Sequence, residues 1–229
     1  MAQDDLAARL RVIRETIETR RAAGGWTHAV RVIAVTKTHG PEAVQAAADA
    51  GIDAVGENRV QEAVAKQDAL AGLGVEWHLI GGLQTKKARQ VVGRFALVHS
   101  LDRLELAAEL DRRAAAAGLV QPVLVQVNCS QESQKGGVEP EALPALLDAL
   151  RDLPALAVRG LMTLAELTED EQVQRRAFQL LRALRDAAGR EGHVLPELSM
   201  GMSGDYPVAV EEGATLVRLG TVLYGKRDS

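Results

Sequence analysis

The sequence is poor in several residues whose abundance marks common classes of protein. It has one cysteine, Cys129, in 229 residues, which excludes an internal disulfide framework and any zinc cluster built on several thiolates. Aromatic residues make up only 3%, too few to supply stacking platforms for bases, and leave a core of Ala, Leu and Val. No sign of charge dominates: 27 Lys and Arg face 31 Asp and Glu, a net charge of -4 that argues against a dedicated nucleic-acid binder. No apolar run approaches the length of a membrane span. The N-terminal stretch MAQDDLAARLRVIRE is charged and amphipathic and has no apolar stretch of a secretory signal, so a cytoplasmic protein is expected. What is present, 47% hydrophobic and 25% charged residues, is the ordinary balance of a soluble globular chain.

From Asp4 to Ala23, Leu6, Leu10, Ile13 and Ile17 recur at steps of three and four, which predicts a helix with one buried face ending at Gly24-Gly25. The β-branched run Arg31-Val-Ile-Ala-Val-Thr36 then reads as a strand buried on both sides. Pro41 opens a helix to Ala50, closed by Gly51, and a second strand covers 53–56. The alternation continues with helix 58–71, strand 76–80, helix 84–93, strand 95–99, helix 102–117, strand 122–128 and helix 139–151. Strand 157–163, helix 170–190, strand 196–200, helix 205–212 and strand 215–219 complete it. Eight strands alternating with helices imply parallel pairing and right-handed crossovers, and this count closes into a (β/α)8 barrel, here with an extra N-terminal helix. An open doubly wound sheet would put a glycine-rich dinucleotide fingerprint after the first strand, whereas Thr36-Lys-Thr-His-Gly-Pro41 has one glycine. No linker-like stretch divides the chain, so residues 1–229 are expected to form one domain.

In a barrel the informative positions follow each strand, at the carboxyl rim. Here they are Lys37, Glu57-Asn58, His78 with Gly81-Gly82, His99-Ser100, Asn128, Met162-Thr163, Ser199-Met200-Gly201-Met202-Ser203 and Arg218-Leu-Gly220-Thr221. Lys37 admits two readings. A lysine directly after a buried strand is expected to be partly desolvated, which favours a free amine able to form a Schiff base with a carbonyl. Alternatively it snorkels to solvent. The loops after strands seven and eight supply hydroxyls and glycine-exposed amides at Ser199, Gly201, Ser203, Gly220 and Thr221, in the two loops where barrels most often bind phosphate, although Gly and Ser are turn residues in any case. Arg218 interrupts an otherwise apolar strand, so its guanidinium must be paired or hydrogen-bonded, either in a structural ion pair or against a ligand acceptor. His78 reads as a barrel-core histidine, His39 and His99 fit either role, and Cys129 reads as a small buried apolar residue. No spacing of His, Cys, Asp or Glu suggests a metal site. An imine-forming lysine, a phosphate cradle and a buried arginine on one rim together point to pyridoxal 5'-phosphate (PLP), with Arg218 facing the pyridine nitrogen.

At these residues the sequence resembles the pyridoxal phosphate homeostasis protein family, single-domain relatives of the alanine racemase N-terminal barrel. The resemblance runs from about Val32 to Gly225 and is carried by Ala34-Val-Thr-Lys37, Val55-Gly-Glu-Asn58, Val60-Gln-Glu62, Trp77-His78 and Gly82-Leu-Gln84. Val127-Asn128, Gly160-Leu-Met162, Leu198-Ser-Met-Gly-Met-Ser203 and Val217-Arg-Leu-Gly-Thr221 extend it. It implies a (β/α)8 barrel with Lys37 as the Schiff-base lysine, Ser203, Gly220 and Thr221 as phosphate contacts, Arg218 toward the ring nitrogen and Asn58 near the cofactor. The rim residues His78, Ser100, Met162, Ser199, Met200 and Gly201 complete the expected cofactor-binding set. Two positions depart from the family pattern: Lys86 stands where the family has Asn, and Lys135-Gly-Gly137 replaces a Lys-Ser-Gly or Lys-Ala-Gly segment.

The expected function is therefore cofactor holding and homeostasis, with delivery to PLP-dependent apoenzymes as its extension, rather than a defined turnover. An arginine at the pyridine nitrogen disfavours ring protonation and so argues against transamination. Racemisation of a small amino acid, the alternative, needs a second acid–base group, which the related racemases take from a tyrosine of an additional domain that this chain is read as lacking. Tyr206 and Tyr224 are the only tyrosines, and neither aligns with that base. A phosphosugar enzyme using Lys37 as an aldolase-type amine ranks third. No catalytic residue is assigned, and a monomer is expected.

Overall fold

Side chains along a strand point alternately to opposite faces, and here both faces are covered, which is why the strands read as continuous apolar runs. The computed structural model describes residues 2–130 and 136–225. Its strands are β1 (Arg31–Val35), β2 (Ala54–Glu57), β3 (Glu76–Leu79), β4 (Leu97–Leu101), β5 (Gln121–Gln126), β6 (Leu156–Met162), β7 (Glu197–Ser199) and β8 (Leu216–Leu219). They pair in sequence order, all parallel, and β1 closes the barrel against β8 from Arg31–Leu216 to Ala34–Leu219. One parity of the strands fills the interior with Ile33, Ala54, Leu97, Leu124, Met162 and Leu216. The other parity, including Ala34, Val55, Val98, Leu161 and Val217, packs outward into the layer shared with the helices.

The surrounding helices are α1 (Ala2–Ala23), α2 (Pro41–Asp49), α3 (Val60–Ala69), α4 (Leu104–Ala116), α5 (Leu143–Leu150), α6 (Glu171–Arg190), α7 (Tyr206–Glu211) and α8 (Thr221–Tyr224). The (β/α)8 architecture with an additional leading helix is as the alternation predicts. Leu6, Leu10, Ile13 and Ile17 are all buried, and α1 lies across α7 and α8. Each of these aliphatic side chains contributes about 1.5–3 kcal/mol. The attachment also has polar ties, from Trp26 Nε1 to the Glu211 carbonyl at 2.7 Å and an Arg20–Glu211 ion pair.

Four departures from the sequence reading have a visible cause, beside shifts of one or two residues at other element ends. The helix expected over 84–93 is a 3-10 helix, Thr85–Gln90, followed by turns, because its buried positions Ala88 and Val91 are three apart, the period of the tighter helix. The strand expected at 95–99 runs from Leu97 to Leu101, since Phe95 is still bonded back to Val91. The helix expected over 139–151 splits at Leu143, where α5 begins with Pro144 in its first turn, a residue that lacks an amide hydrogen to continue from the preceding 3-10 turn. Helix α8 was too short to leave a periodic pattern. Among the described residues, no helix is long and apolar enough to cross a membrane.

Candidate functional site

Lys37 stands two residues past the end of β1, directly after the clamped Thr36. The buried Thr36 donates its hydroxyl to Glu57 Oε1 at 2.6 Å, and its carbonyl accepts from Lys66 Nζ at 2.7 Å. Lys66 Nζ also reaches Glu57 Oε1 at 2.6 Å, so β2 and α3 together fix the point from which Lys37 departs. Thr38 then has φ of 68°, a left-handed backbone that β-branched residues rarely adopt, and the chain reverses at once. The Lys37 side chain is exposed. The desolvation expected of it is thus corrected: the residue lies in the turn beyond β1, where the barrel wall no longer encloses its stem.

Gly220, at the end of β8, backs onto β1. A Cβ placed there would lie 3.5 Å from the Val35 carbonyl oxygen. Its amide and that of Val222 both donate to Ser203 Oγ, each at 3.2 Å. Two backbone N–H groups from the start of α8 therefore converge on a single oxygen supplied by the loop after β7, an arrangement suited to an anion. The loop is held in place by Gly201, whose φ of +94° favours glycine and where an added Cβ would meet Ala209 Cβ at 2.7 Å. Thr221, the remaining residue expected here, is exposed beside this point. The contribution of Val222 was not foreseen, because a backbone amide carries no residue signature.

Arg218 lies in the barrel interior, 3% exposed, two residues before Gly220. Its guanidinium donates from Nη1 to Ser199 Oγ and from Nη2 to the Thr163 carbonyl at 2.9 Å. Burial lowers its pKa to about 10, partly opposed by Asp205, so it remains a cation at neutral pH. Where the sequence left a structural ion pair or a ligand acceptor open for Arg218, the hydrogen bonds it makes among the described residues go to neutral oxygens, with Asp205 acting on it through its charge. With two of its five N–H groups committed, it keeps donors for an acceptor at the rim. Ser199 Oγ is also 2.9 Å from His99 Nδ1, and His99 Nε2 is 2.9 Å from His78 Nδ1.

The other expected rim residues divide. Asn58 has its Oδ1 buried without a hydrogen-bond partner, and Gly81 packs so closely on it that a Cβ would lie 2.3 Å from the Asn58 carbonyl. Met162 is part of the interior cluster. Ser100 is bonded to the Gly81 carbonyl at 2.8 Å, and Met200 packs in the outer core, so both face structural neighbours. His78 lies deep in the barrel and lines a cavity at its amino-terminal end, away from the rim. Lys86 is exposed on the 3-10 helix, and Lys135 lies outside the described residues. Cys129 is buried as expected, its thiol pushed up to about 11 by burial. Among the described residues no group of His, Cys, Asp and Glu could hold a metal.

Thus a primary amine, an anion cradle and a buried cationic donor occur at the ends of β1, β7 and β8, three consecutive strands around the barrel. The sequence profile of the alanine racemase N-terminal domain matches residues 4–228. A pyridoxal phosphate homeostasis protein of Aquifex aeolicus is 45% identical over 218 residues, covering 95% of this chain and 96% of its relative. The chain belongs to the pyridoxal phosphate homeostasis protein family. A further member, from Pseudomonas aeruginosa, is 44% identical across 97% of this chain and 93% of its own. PipY of Synechococcus elongatus, solved with PLP bound, superposes with a TM-score of 0.85 at 38% identity, over 96% of this chain and all of PipY. An alanine racemase of Clostridium difficile shares the fold at TM-score 0.75 and 17% identity, and this family member spans 57% of its length.

Proposed function

We propose that this protein holds PLP at the carboxyl rim of its barrel and serves to keep the cofactor's intracellular level balanced, delivering it to PLP-dependent apoenzymes in the cytoplasm. The observation that carries the reading is the convergence of the Gly220 and Val222 amides on Ser203, next to the buried Arg218 and across the β8–β1 seam from Lys37. When bound, the cofactor supplies an aldehyde open to attack by an amine and a pyridine ring that can draw electrons.

The chain's own residues match those parts. Gly220 and Val222 would donate to phosphate oxygens, with the Ser203 hydroxyl turning from acceptor to donor. Arg218 would donate to the ring nitrogen and, being cationic, keep a proton off it. Asn58, Met162, Ser199, Gly201 and Thr221 would line the approach, and Lys37 would provide the covalent anchor. The exposure of Lys37 suits a protein that must load and release its cargo, since neither step needs the barrel to open. Neither tyrosine adds an acid–base group: Tyr206 is buried in the core, and Tyr224 donates to the Ala43 carbonyl at 3.0 Å, its pKa raised by burial and by Glu57. That supports holding over racemisation.

Protein mixed with PLP should gain visible absorbance that borohydride bleaches, leaving a mass increase on the peptide containing Lys37. Lys37→Ala should show neither. An unchanged spectrum in that variant, or a label on another lysine, would overturn the assignment.

A further inference from the structure

A polar chain crosses the barrel interior beneath the rim. It runs from Arg218 Nη1 to Ser199 Oγ, on to His99 Nδ1 at 2.9 Å, and from His99 Nε2 to His78 Nδ1 at 2.9 Å. His78 Nε2 then lies 3.5 Å from Glu76 Oε2. Arg218, Ser199, His99 and His78 are all buried, whereas the Glu76 side chain is 52% exposed. Glu76 borders a cavity of about 580 Å³ at the amino-terminal end, lined also by Arg31 and Arg159. The chain thus joins a rim cation to a carboxylate at the opposite end of the barrel.

Its two ends dictate one polarity. A guanidinium only donates, so Ser199 Oγ accepts from Arg218 and turns its own hydrogen to His99 Nδ1. His99 must then carry its hydrogen on Nε2 and give it to His78 Nδ1, which leaves His78 with a hydrogen on Nε2 facing Glu76. A carboxylate only accepts, so the count from Glu76 returns the same tautomers. At 3.5 Å the last link is longer than a good hydrogen bond, and among these five side chains it leaves His78 Nε2 buried without a close partner. The same Glu76 oxygen accepts from Arg31 Nη1 at 2.7 Å, which holds the carboxylate facing His78.

We propose that Ser199 and His99 are positioning residues for Arg218, with the His99 and His78 rings held as Nε2–H tautomers between Ser199 and Glu76, so that the guanidinium presents its remaining donors to the cofactor ring in one orientation. The cofactor part rests on the function proposed above; the hydrogen-bond order does not. Burial, then Arg31, lowers the proton affinity of His78 and outweighs the opposing pull of Glu76 and Asp53, while burial, then His78 and Arg218, lowers that of His99, so both rings stay neutral. The chain should therefore keep its order across the physiological range.

Side-chain 15N–1H correlation spectra of the ligand-free protein test this directly. Both rings should show hydrogen on Nε2 alone from about pH 5.5 to pH 8. The Arg218 Nη–H signals should be resolved in wild type and Ser199→Thr, and averaged by rotation in Ser199→Ala. Hydrogen on His99 Nδ1, an imidazolium at either ring, or unchanged Arg218 signals in Ser199→Ala would overturn the proposal. With PLP, Ser199→Ala should bind about tenfold more weakly, Ser199→Thr should restore affinity, and borohydride should still label Lys37 in both. Equal affinity in Ser199→Ala would also count against the positioning role. Failure of wild type to take up PLP would overturn the cofactor reading alone, because the ligand-free spectra judge the chain independently.

Discussion

Lys66 and Glu57 form a buried ion pair at 2.6 Å, and the same ammonium holds the carbonyl of the residue before Lys37. Both side chains are shielded, at 8% and 0% exposure, so neither charge can be left alone at low cost. Lys66→Met should destabilise the protein by about 3–5 kcal/mol, read as a denaturant midpoint, because it strands the Glu57 carboxylate. The double variant Lys66→Met/Glu57→Gln should recover part of that loss. A double variant as unstable as the sum of the two single ones would show that the pair is not coupled.

Ser203 separates phosphate recognition from the rest of the site. Ser203→Asp places a carboxylate where the Gly220 and Val222 amides converge, so it should satisfy both donors while repelling a phosphate. The expected result is unchanged or higher thermal stability together with loss of PLP binding, measured by absorbance titration. Ser203→Ala should weaken PLP by about tenfold and leave pyridoxal, which has no phosphate, nearly unaffected. Equal loss for both ligands would place the phosphate elsewhere.

The parts legible in the sequence are those with a local pattern. The eight runs are continuous because both strand faces are covered, Leu6 to Ile17 keep the period of a one-sided helix, and Arg218 stands out as a charge in an apolar strand. The clamp around Thr36 was not legible, because Glu57 and Lys66 belong to a strand and a helix whose packing no spacing encodes. The same holds for His99 and Ser199, a hundred residues apart and joined only across the barrel interior. The exposure of Lys37 depended on where β1 stops, and boundaries are set by tertiary pairing rather than by composition.

Gly201 offers a steric test of the loop that carries Ser203. Its φ of +94° and the 2.7 Å approach of an added Cβ to Ala209 leave no room for a side chain, with Tyr206 Cα at 3.0 Å on the same side. Gly201→Ala should cost about 2–4 kcal/mol and weaken PLP by displacing Ser203. Gly204→Ala, three residues on, meets nothing within 4 Å and should be near neutral in stability. A Gly201→Ala protein as stable as wild type would mean the loop can shift without loss.

The two barrel histidines give stability a predictable dependence on pH. Burial, then Arg31, pushes His78 down to about 4, and burial, then His78 and Arg218, holds His99 well below its ordinary value. In the unfolded chain both rings take up a proton near pH 6.5, so below that pH the unfolded state binds more protons and stability must fall as the pH drops. For His78 the loss spans the window between about pH 6.5 and its folded value of about 4, and ends below it, where both states are protonated. Between pH 7 and pH 5 the expected loss is about 2 kcal/mol for this histidine, with His99 adding in the same direction. Urea midpoints across that range should therefore decline, and His78→Gln should flatten the slope even if it lowers stability at pH 7. A slope unchanged in that variant would show that His78 takes up its proton in the folded barrel at the same pH as in the unfolded chain, against the hydrogen-bond order that links it to Arg218.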